Sequence, residues 1–88
     1  MKKNISITGN QKIPEGCIED FKKIGLAIHE LRFHHGLLTQ KELAEECGVH
    51  FNTIRSIEQG HRNYNLLSLL KIIQCFDYDL TDFIEELF

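Results

Sequence analysis

The stretch that most constrains the fold is residues 39–60, TQKELAEECGVHFNTIRSIEQG, in which two short helical patterns meet at a single glycine, Gly48. Thr39 and Glu42 have the spacing of a capping box, in which each side chain accepts a hydrogen bond from the other residue's backbone amide. A helix is therefore predicted to begin here. Gly48 can adopt the left-handed backbone conformation that ends a helix, so a tight turn is predicted before the second pattern.

The second pattern predicts a helix that starts at His50 or Phe51 and stops at Gly60. Ile54 and Ile57, three residues apart, are expected to point inward. Two short helices joined by a glycine-containing turn form a helix-turn-helix, in which the first helix braces against the DNA backbone and the second enters the major groove. The alternative is an ordinary antiparallel helix pair within a bundle.

Apolar residues recur every three or four positions in three further segments, which predicts three more helices. The first spans about residues 18–35 and ends at Gly36, the fourth follows a cap at Asn65, and the fifth follows a cap at Asp79. No strand is predicted in residues 17–88. The expected fold is an all-α domain of five helices.

Residues 1–16 are predicted to be an N-terminal extension of the domain that spans residues 17–88. The segment NISIT alternates Ile5 and Ile7 with polar residues, which is the period of a β-strand. Two alternatives stay open: a disordered arm, or a short strand that pairs with a second copy, because a lone strand is not stable in water.

The acidic residues are concentrated at the C-terminus, although the formal net charge of the 88 residues is only −3. Residues 77–88 carry five acidic residues and no basic one, so the rest of the chain has a net charge of +2. The net charge predicts weak nonspecific attraction to nucleic acid, but the mildly basic middle of the chain permits binding.

Other classes of protein find little support in the composition. No signal peptide or membrane span is visible, and the expectation is a reduced, cytoplasmic protein with three buried or half-buried structural thiols, Cys17, Cys47 and Cys75. No nucleophile–base pair or glycine-rich phosphate loop points to an enzyme, and no cofactor is expected. Metal binding is not expected either, because no cysteine or carboxylate stands at ligand spacing beside the histidines, which are His29, His34, His35, His50 and His61.

Residues 24–84 resemble the Xre/Cro-type helix-turn-helix family of phage-repressor-like DNA-binding domains. The matching motifs occur in family order: LR at 31–32, Gly36, TQKELAEECGV, TIRSIEQGHRN, LLSLLKI and DLTDFI. The resemblance implies a compact five-helix, repressor-like fold. It also implies sequence-specific binding of double-stranded DNA by a transcriptional regulator of prokaryotic or phage type.

The resemblance also implies the roles of individual residues. Arg32 of the first helix would form a structural ion pair with Glu58 at the end of the third. Arg62 and Asn63 would contact the DNA backbone, and Gln40 would contact a phosphate or a base edge near it. The whole expected DNA-binding set is Gln40, His50, Phe51, Asn52, Thr53, Arg55, Ser56, Arg62 and Asn63.

Several roles within this set stay open. Asn52 is suited to a bidentate pair with adenine, whereas Arg55 fits either guanine or a phosphate. Phe51 either touches a thymine methyl group or packs beside Val49 or Leu38. Thr53 supports either the start of the helix or a phosphate.

Two departures from the family pattern concern the loops. Leu38 is an extra residue before the second helix, so that turn is expected to bulge. Tyr64 stands where many members have proline, and its ring either packs under the loop or stacks beside a phosphate.

The fifth helix is expected to supply a homodimer interface, because its end carries more apolar surface than a small monomer should expose. The candidate interface residues are Phe83, Ile84, Leu87 and Phe88, of which Leu87 and Phe88 are the better candidates. The alternative is that most of these residues complete the core. Leu80 is assigned to the core, and Phe83 or Ile84 is expected to join it. A homodimer would bind a palindromic operator. The alternative function is an antitoxin or adaptor whose acidic C-terminal helix engages a basic partner protein such as a toxin.

Overall fold

The computed structural model describes residues 15–37, 39–61 and 64–87, which form five helices. These are α1 (Glu15–His34), α2 (Gln40–Cys47), α3 (Phe51–Glu58), α4 (Leu66–Cys75) and α5 (Leu80–Leu87). No strand occurs in these three ranges, so the predicted all-α fold is confirmed. The predicted strand or arm falls on residues 1–14, outside the described residues, while residues 15 and 16 already belong to α1.

Four helices begin at capping residues whose side chains accept a hydrogen bond from the first helical turn. Thr39 and Glu42 form the predicted capping box at α2. Asn65 accepts from Ser68 at the start of α4 and Asp79 from Asp82 at the start of α5, as predicted, while His50 caps α3. Because these bonds satisfy amides that lack a partner within the helix, local sequence sets where each helix starts.

The core lies where the inner faces of all five helices meet. Its buried apolar residues come from every helix and are Ile28, Leu43, Ala44, Ile54, Ile57, Leu69, Ile72, Ile73, Phe76 and Phe83. α3 packs against both α1 and α2, whereas α5 packs against α1 and α4. α1 and α2 therefore support the inner face of α3, and α5 lies on a different part of the molecule from α3.

A close approach between α1 and α3 depends on Gly25. A Cβ atom at this position would collide with the carbonyl oxygen of Ile57 and would crowd backbone atoms of Glu58 and Gly60. Backbone atoms cannot move aside as a flexible side chain can. The absence of a side chain at Gly25 therefore sets how closely α1 supports the end of α3.

The structure corrects two assignments in α5. Phe83, a candidate for the dimer interface with the core as its alternative, is only 2% exposed and fills the core, so its interface assignment is wrong. Leu80, expected in the core, is 39% exposed, as is Ile84. Leu87 is half-buried and packs against the core, and Phe88 lies outside the described residues. The inward face of α5 is thus rotated from the predicted one, so that Phe83 takes the place assigned to Leu80.

The expectation of three buried or half-buried thiols is also wrong. Cys17 and Cys75 are exposed, and only Cys47 is half-buried. Burial and the neighbouring Cys75 thiol raise the pKa of Cys47, which disfavours its reactive thiolate form.

No helix among the described residues has both the length and the apolar character that crossing a membrane requires.

Candidate nucleic-acid interface

The turn between α2 and α3 is formed by a glycine in the left-handed region. Gly48 has φ 72° and ψ 33°, and its amide donates to the carbonyl oxygen of Ala44 at 3.0 Å. The Val49 amide donates to the same oxygen at 3.2 Å. These bonds end α2 and redirect the chain within two residues, so α3 starts almost at once in a new direction.

His50 caps the start of α3 through its ring. Its Nδ1 accepts a hydrogen bond from the Asn52 backbone amide at 3.0 Å. A neutral imidazole that accepts at Nδ1 carries its hydrogen at Nε2. Because His50 is exposed, this Nε2–H is left as a hydrogen-bond donor at the entrance of α3.

α3 has one apolar face and one polar face. Ile54 and Ile57 are fully buried, as predicted. The opposite face carries a stripe of polar residues at helical spacing, which we call the outer stripe: Asn52, Arg55, Ser56 and Gln59. None of these four side chains makes a hydrogen bond or ion pair within the described part of the chain. Their donors and acceptors are available to a ligand in the surrounding solvent.

Phe51, at the first position of α3, is 40% exposed. It is not among the partly buried residues that pack on the core, although Val49 is. Its aromatic ring therefore adds apolar surface beside the outer stripe. Whether Leu38 contacts it, and whether the turn before α2 bulges, concern a residue outside the described ranges.

A buried ion pair holds the other end of α3. Arg32 donates from Nε to Glu58 Oε2 at 2.8 Å and from Nη2 to Oε1 at 3.0 Å. Both side chains are almost fully buried. Arg32 also donates from Nη1 to the Leu37 carbonyl oxygen at 3.3 Å, in the segment that leads to α2. The bidentate geometry fixes both the distance and the angle between α1 and α3.

Two more side chains complete the contacts of Glu58. Gln40, the first residue of α2, donates from Nε2 to Glu58 Oε1 at 3.0 Å. His29 of α1 places Nδ1 at 3.2 Å from the same oxygen and at 3.3 Å from Arg32 Nη2. The carboxylate of Glu58 thus joins three helices, and Gln40 has a structural contact that the sequence did not predict.

These contacts change the proton affinity of Glu58. Burial alone would raise the pKa of its carboxyl group. Hydrogen bonds from Arg32, Gln40 and His29, together with the charge of Arg32, outweigh burial and lower the pKa. The negative charge of Glu58 is therefore stabilised inside the protein, where Arg32 compensates it, so it does not add an exposed negative charge to α3.

The loop after α3 is described only in part. Tyr64 is half-buried, packs against the core and meets Phe21 edge to face, with ring centroids 6.0 Å apart. This contact matches the alternative in which Tyr64 packs under the loop. Arg62 and Asn63, the expected backbone contacts, lie outside the described residues.

Sequence reasoning missed three residues around this interface. Gln59 belongs to the outer stripe, and its position seven residues after Asn52 could have revealed it. Gly25 and His29 act through contacts with residues about thirty positions away, for which the sequence carries no local signal.

Within the described ranges, no group of histidine, cysteine and acidic side chains could hold a metal ion.

Comparison with known protein families identifies the class of this fold. Residues 28–83 match the model of the Helix-turn-helix family HTH_3, which is the Xre/Cro-like helix-turn-helix family. The match covers more than half of the chain, and the chain belongs to this family. Its members are DNA-binding transcriptional regulators and are generally not enzymes. A search of curated proteins found no match.

Proposed function

We propose that the protein binds double-stranded DNA in a sequence-specific manner, with α3 in the major groove. The observation that carries the proposal is the outer stripe. Its four polar side chains make no hydrogen bond with the described residues, and the core and Glu58 hold the helix in place. A preorganised helix with unused donors and acceptors is suited to reading base edges. The major groove is wide enough to admit one helix.

The side chains near the start of α3 suit particular partners. Asn52 can form a bidentate pair with adenine, and Phe51 can contact a thymine methyl group. Arg55 fits a phosphate or guanine, and Ser56 can pair with more than one base. The Nε2–H of His50 can donate to a phosphate oxygen. Thr53, which is half-buried, would support the helix start or reach a phosphate.

Contacts with the DNA backbone would position α3. Gln40 gives one N–H of its amide to Glu58, which leaves its second N–H for a phosphate beside the start of α2. Arg62 and Asn63 are proposed as further backbone contacts on the basis of the family resemblance. Such contacts orient a protein on the duplex without reading its sequence.

We place a homodimer interface on the exposed edge of α5. Leu80 and Ile84 are one helical turn apart and both exposed, so they form a small apolar surface with Leu87 beside it. Phe88 is the next residue in sequence. A symmetric dimer would present two copies of α3 to two half-sites, which explains how a module with few basic residues gains affinity.

Selection of bound fragments from a random double-stranded DNA library tests this function. The expected result is a palindromic motif whose half-sites are separated by about one helical turn, roughly 10 base pairs, or a multiple of it. A single motif without symmetry would support base reading and contradict the dimer. No enrichment over the starting library would contradict sequence-specific binding itself.

A second candidate function is that of an antitoxin or adaptor that binds a basic partner protein. The observation in its favour is the acidic surface of α5 and the turn before it, where Asp77, Asp82, Glu85 and Glu86 have no ion-pair partner within the described residues. A basic protein that co-purifies with the chain in stoichiometric amount would support this role. Binding of DNA and of a partner protein are compatible.

A further inference from the structure

A groove between α1 and α5 lies apart from the outer stripe. Its volume is about 420 Å³. Its apolar lining residues are Ala27, Leu31, Tyr78, Phe83 and Leu87, and its polar lining residues are Glu30, His34 and Glu86. We call it the α1–α5 groove. Its apolar residues come from both helices and from the turn before α5.

An acidic hollow adjoins the α1–α5 groove. It is lined by Asp77, Tyr78, Asp82, Glu85 and Glu86, so the two depressions share Tyr78 and Glu86. They therefore form one continuous surface, apolar on one side and acidic on the other. The four carboxylates of this hollow have no ion-pair partner within the described part of the chain.

We propose that this surface binds a basic, amphipathic helical segment of a partner protein, an inference that rests on the second candidate function and adds the site and the form of the bound segment. An amphipathic helix places apolar side chains on one face, which suits the groove. Lysine or arginine side chains along the edge of that face would meet the acidic hollow. Charge complementarity selects such a partner, because a neutral segment would leave the carboxylates without counter-charges and an acidic one would be repelled.

The site leaves the DNA-binding surface accessible. α5 packs against α1 and α4, whereas the outer stripe lies on the exposed face of α3. On α5 itself, Phe83 and Leu87 line the groove, whereas Leu80 and Ile84 lie outside it. The proposed partner would therefore use a surface different from that of DNA, and this surface meets the proposed homodimer surface only at Leu87.

A synthetic peptide tests this proposal in the absence of DNA, so its outcome is independent of the proposed DNA binding. The probe is a fluorescent leucine–lysine peptide about four turns long with one apolar face, and its comparison is a scrambled peptide of identical composition. Fluorescence anisotropy with the full chain measures both affinities. We expect the amphipathic peptide to bind at least about tenfold more tightly.

Two variants and one matched control locate the site. Glu86→Lys, which reverses an exposed charge at the junction of groove and hollow, is expected to weaken peptide binding about tenfold at low salt. Ala27→Leu, which fills the groove without changing charge, should also weaken binding. Glu45→Lys makes the same charge change on α2 and is expected to alter the affinity less than about twofold. Thermal unfolding verifies that each variant is folded.

Several results would overturn the proposal. If the scrambled peptide binds as tightly as the amphipathic one, or if Glu45→Lys weakens peptide binding as much as Glu86→Lys does, the binding is general charge attraction and not recognition by the groove. Tighter peptide binding after substitution of Lys2, Lys3 and Lys12 by glutamine would assign the groove to the chain's own basic N-terminal sequence. Self-association that Glu86→Lys abolishes would assign it to a second copy.

Discussion

The carboxylate of Glu58 accepts hydrogen bonds from side chains of α1 and α2, although the residue itself lies at the end of α3. A buried carboxylate without its partners would be costly, and so would the Arg32 guanidinium without Glu58. Loss of either Arg32 or Glu58 alone is therefore expected to disturb the packing of α3 against α1 and α2. The benefit is positional, because a single side chain sets the end of α3 relative to two other helices.

The substitution Glu58→Gln tests this role, because its effect on the free energy of unfolding should depend on pH. The pKa of Glu58 is lowered in the folded state, so its ionised form stabilises the protein above the ordinary glutamate pKa. This stabilisation is lost as the pH falls through the lowered value. We expect Glu58→Gln to cost about 3 kcal/mol of unfolding free energy at pH 7. The cost should shrink as the pH falls below the ordinary glutamate pKa and through the lowered pKa of the folded state.

Urea denaturation across this pH range measures the difference between the variant and the natural protein. Glu45→Gln, a change of the same type at an exposed site on α2, serves as the control and should stay within about 0.5 kcal/mol of it at every pH. A cost of Glu58→Gln that does not vary with pH would contradict the role assigned to the ionised carboxylate.

Asn52 is the residue of the outer stripe that best tests base reading. Asn52→Ala is expected to cost about 1–3 kcal/mol of binding free energy on the selected site and little on random DNA, because only the base contact is lost. Arg62→Ala provides the contrast and should weaken binding to both DNAs alike, with a flatter salt dependence. Competition gel-shift titrations measure both. An equal loss in Asn52→Ala on the two DNAs would remove its base-reading role.

At the scale of the helices, the contact between α1 and α3 depends on Gly25. Gly25→Ala is expected to lower the unfolding free energy by at least about 2 kcal/mol, because the added methyl group would force the two backbones apart. Gly16→Ala is the matched control in the same helix, where a Cβ atom would meet nothing within 4 Å. It should be neutral or slightly stabilising, by at most about 1 kcal/mol. Chemical denaturation of both variants compares them directly, and similar stabilities would contradict the close-packing role.

The sequence predicted helix starts well because their signals are local. The capping box at Thr39 and the caps at Asn65 and Asp79 each involve residues three positions apart, so spacing alone reveals them. Gly48 is similar, since its left-handed conformation depends on a single residue.

The inward face of α5 was predicted only in part: a core position for Phe83 was one of the alternatives, whereas the assignment of Leu80 to the core was wrong. Its four apolar residues form a single stripe at helical spacing, so periodicity identifies the apolar side of the helix but does not decide whether Leu80 or Phe83 lies deeper in the core. The choice depends on how the helix is rotated after the turn. There, Asp77 has a φ of 64° and the Tyr78 ring packs edge to face against Phe83. Contacts of this kind, like those of Gly25 and Gln40, form only when distant segments meet.

At the scale of the whole molecule, the exposed edge of α5 is expected to control self-association. Ile84→Glu should weaken the homodimer at least about tenfold, because two carboxylates would face each other across the two-fold axis. Leu26→Glu places the same charge at an exposed leucine on α1 and should leave the dimer unchanged. Sedimentation equilibrium over a range of concentrations measures both dissociation constants. A monomer at high micromolar concentration in the natural protein would rule out this interface.

The outer stripe and the core of α3 share one short helix but no side-chain hydrogen bonds. Changes at Asn52, Arg55, Ser56 and Gln59 should therefore affect folding by no more than about 0.5 kcal/mol each. The four positions can be randomised together on an otherwise unchanged protein. New operator preferences could then arise through a few substitutions without passing through unfolded intermediates, which makes this small domain a practical starting point for directed evolution of DNA specificity.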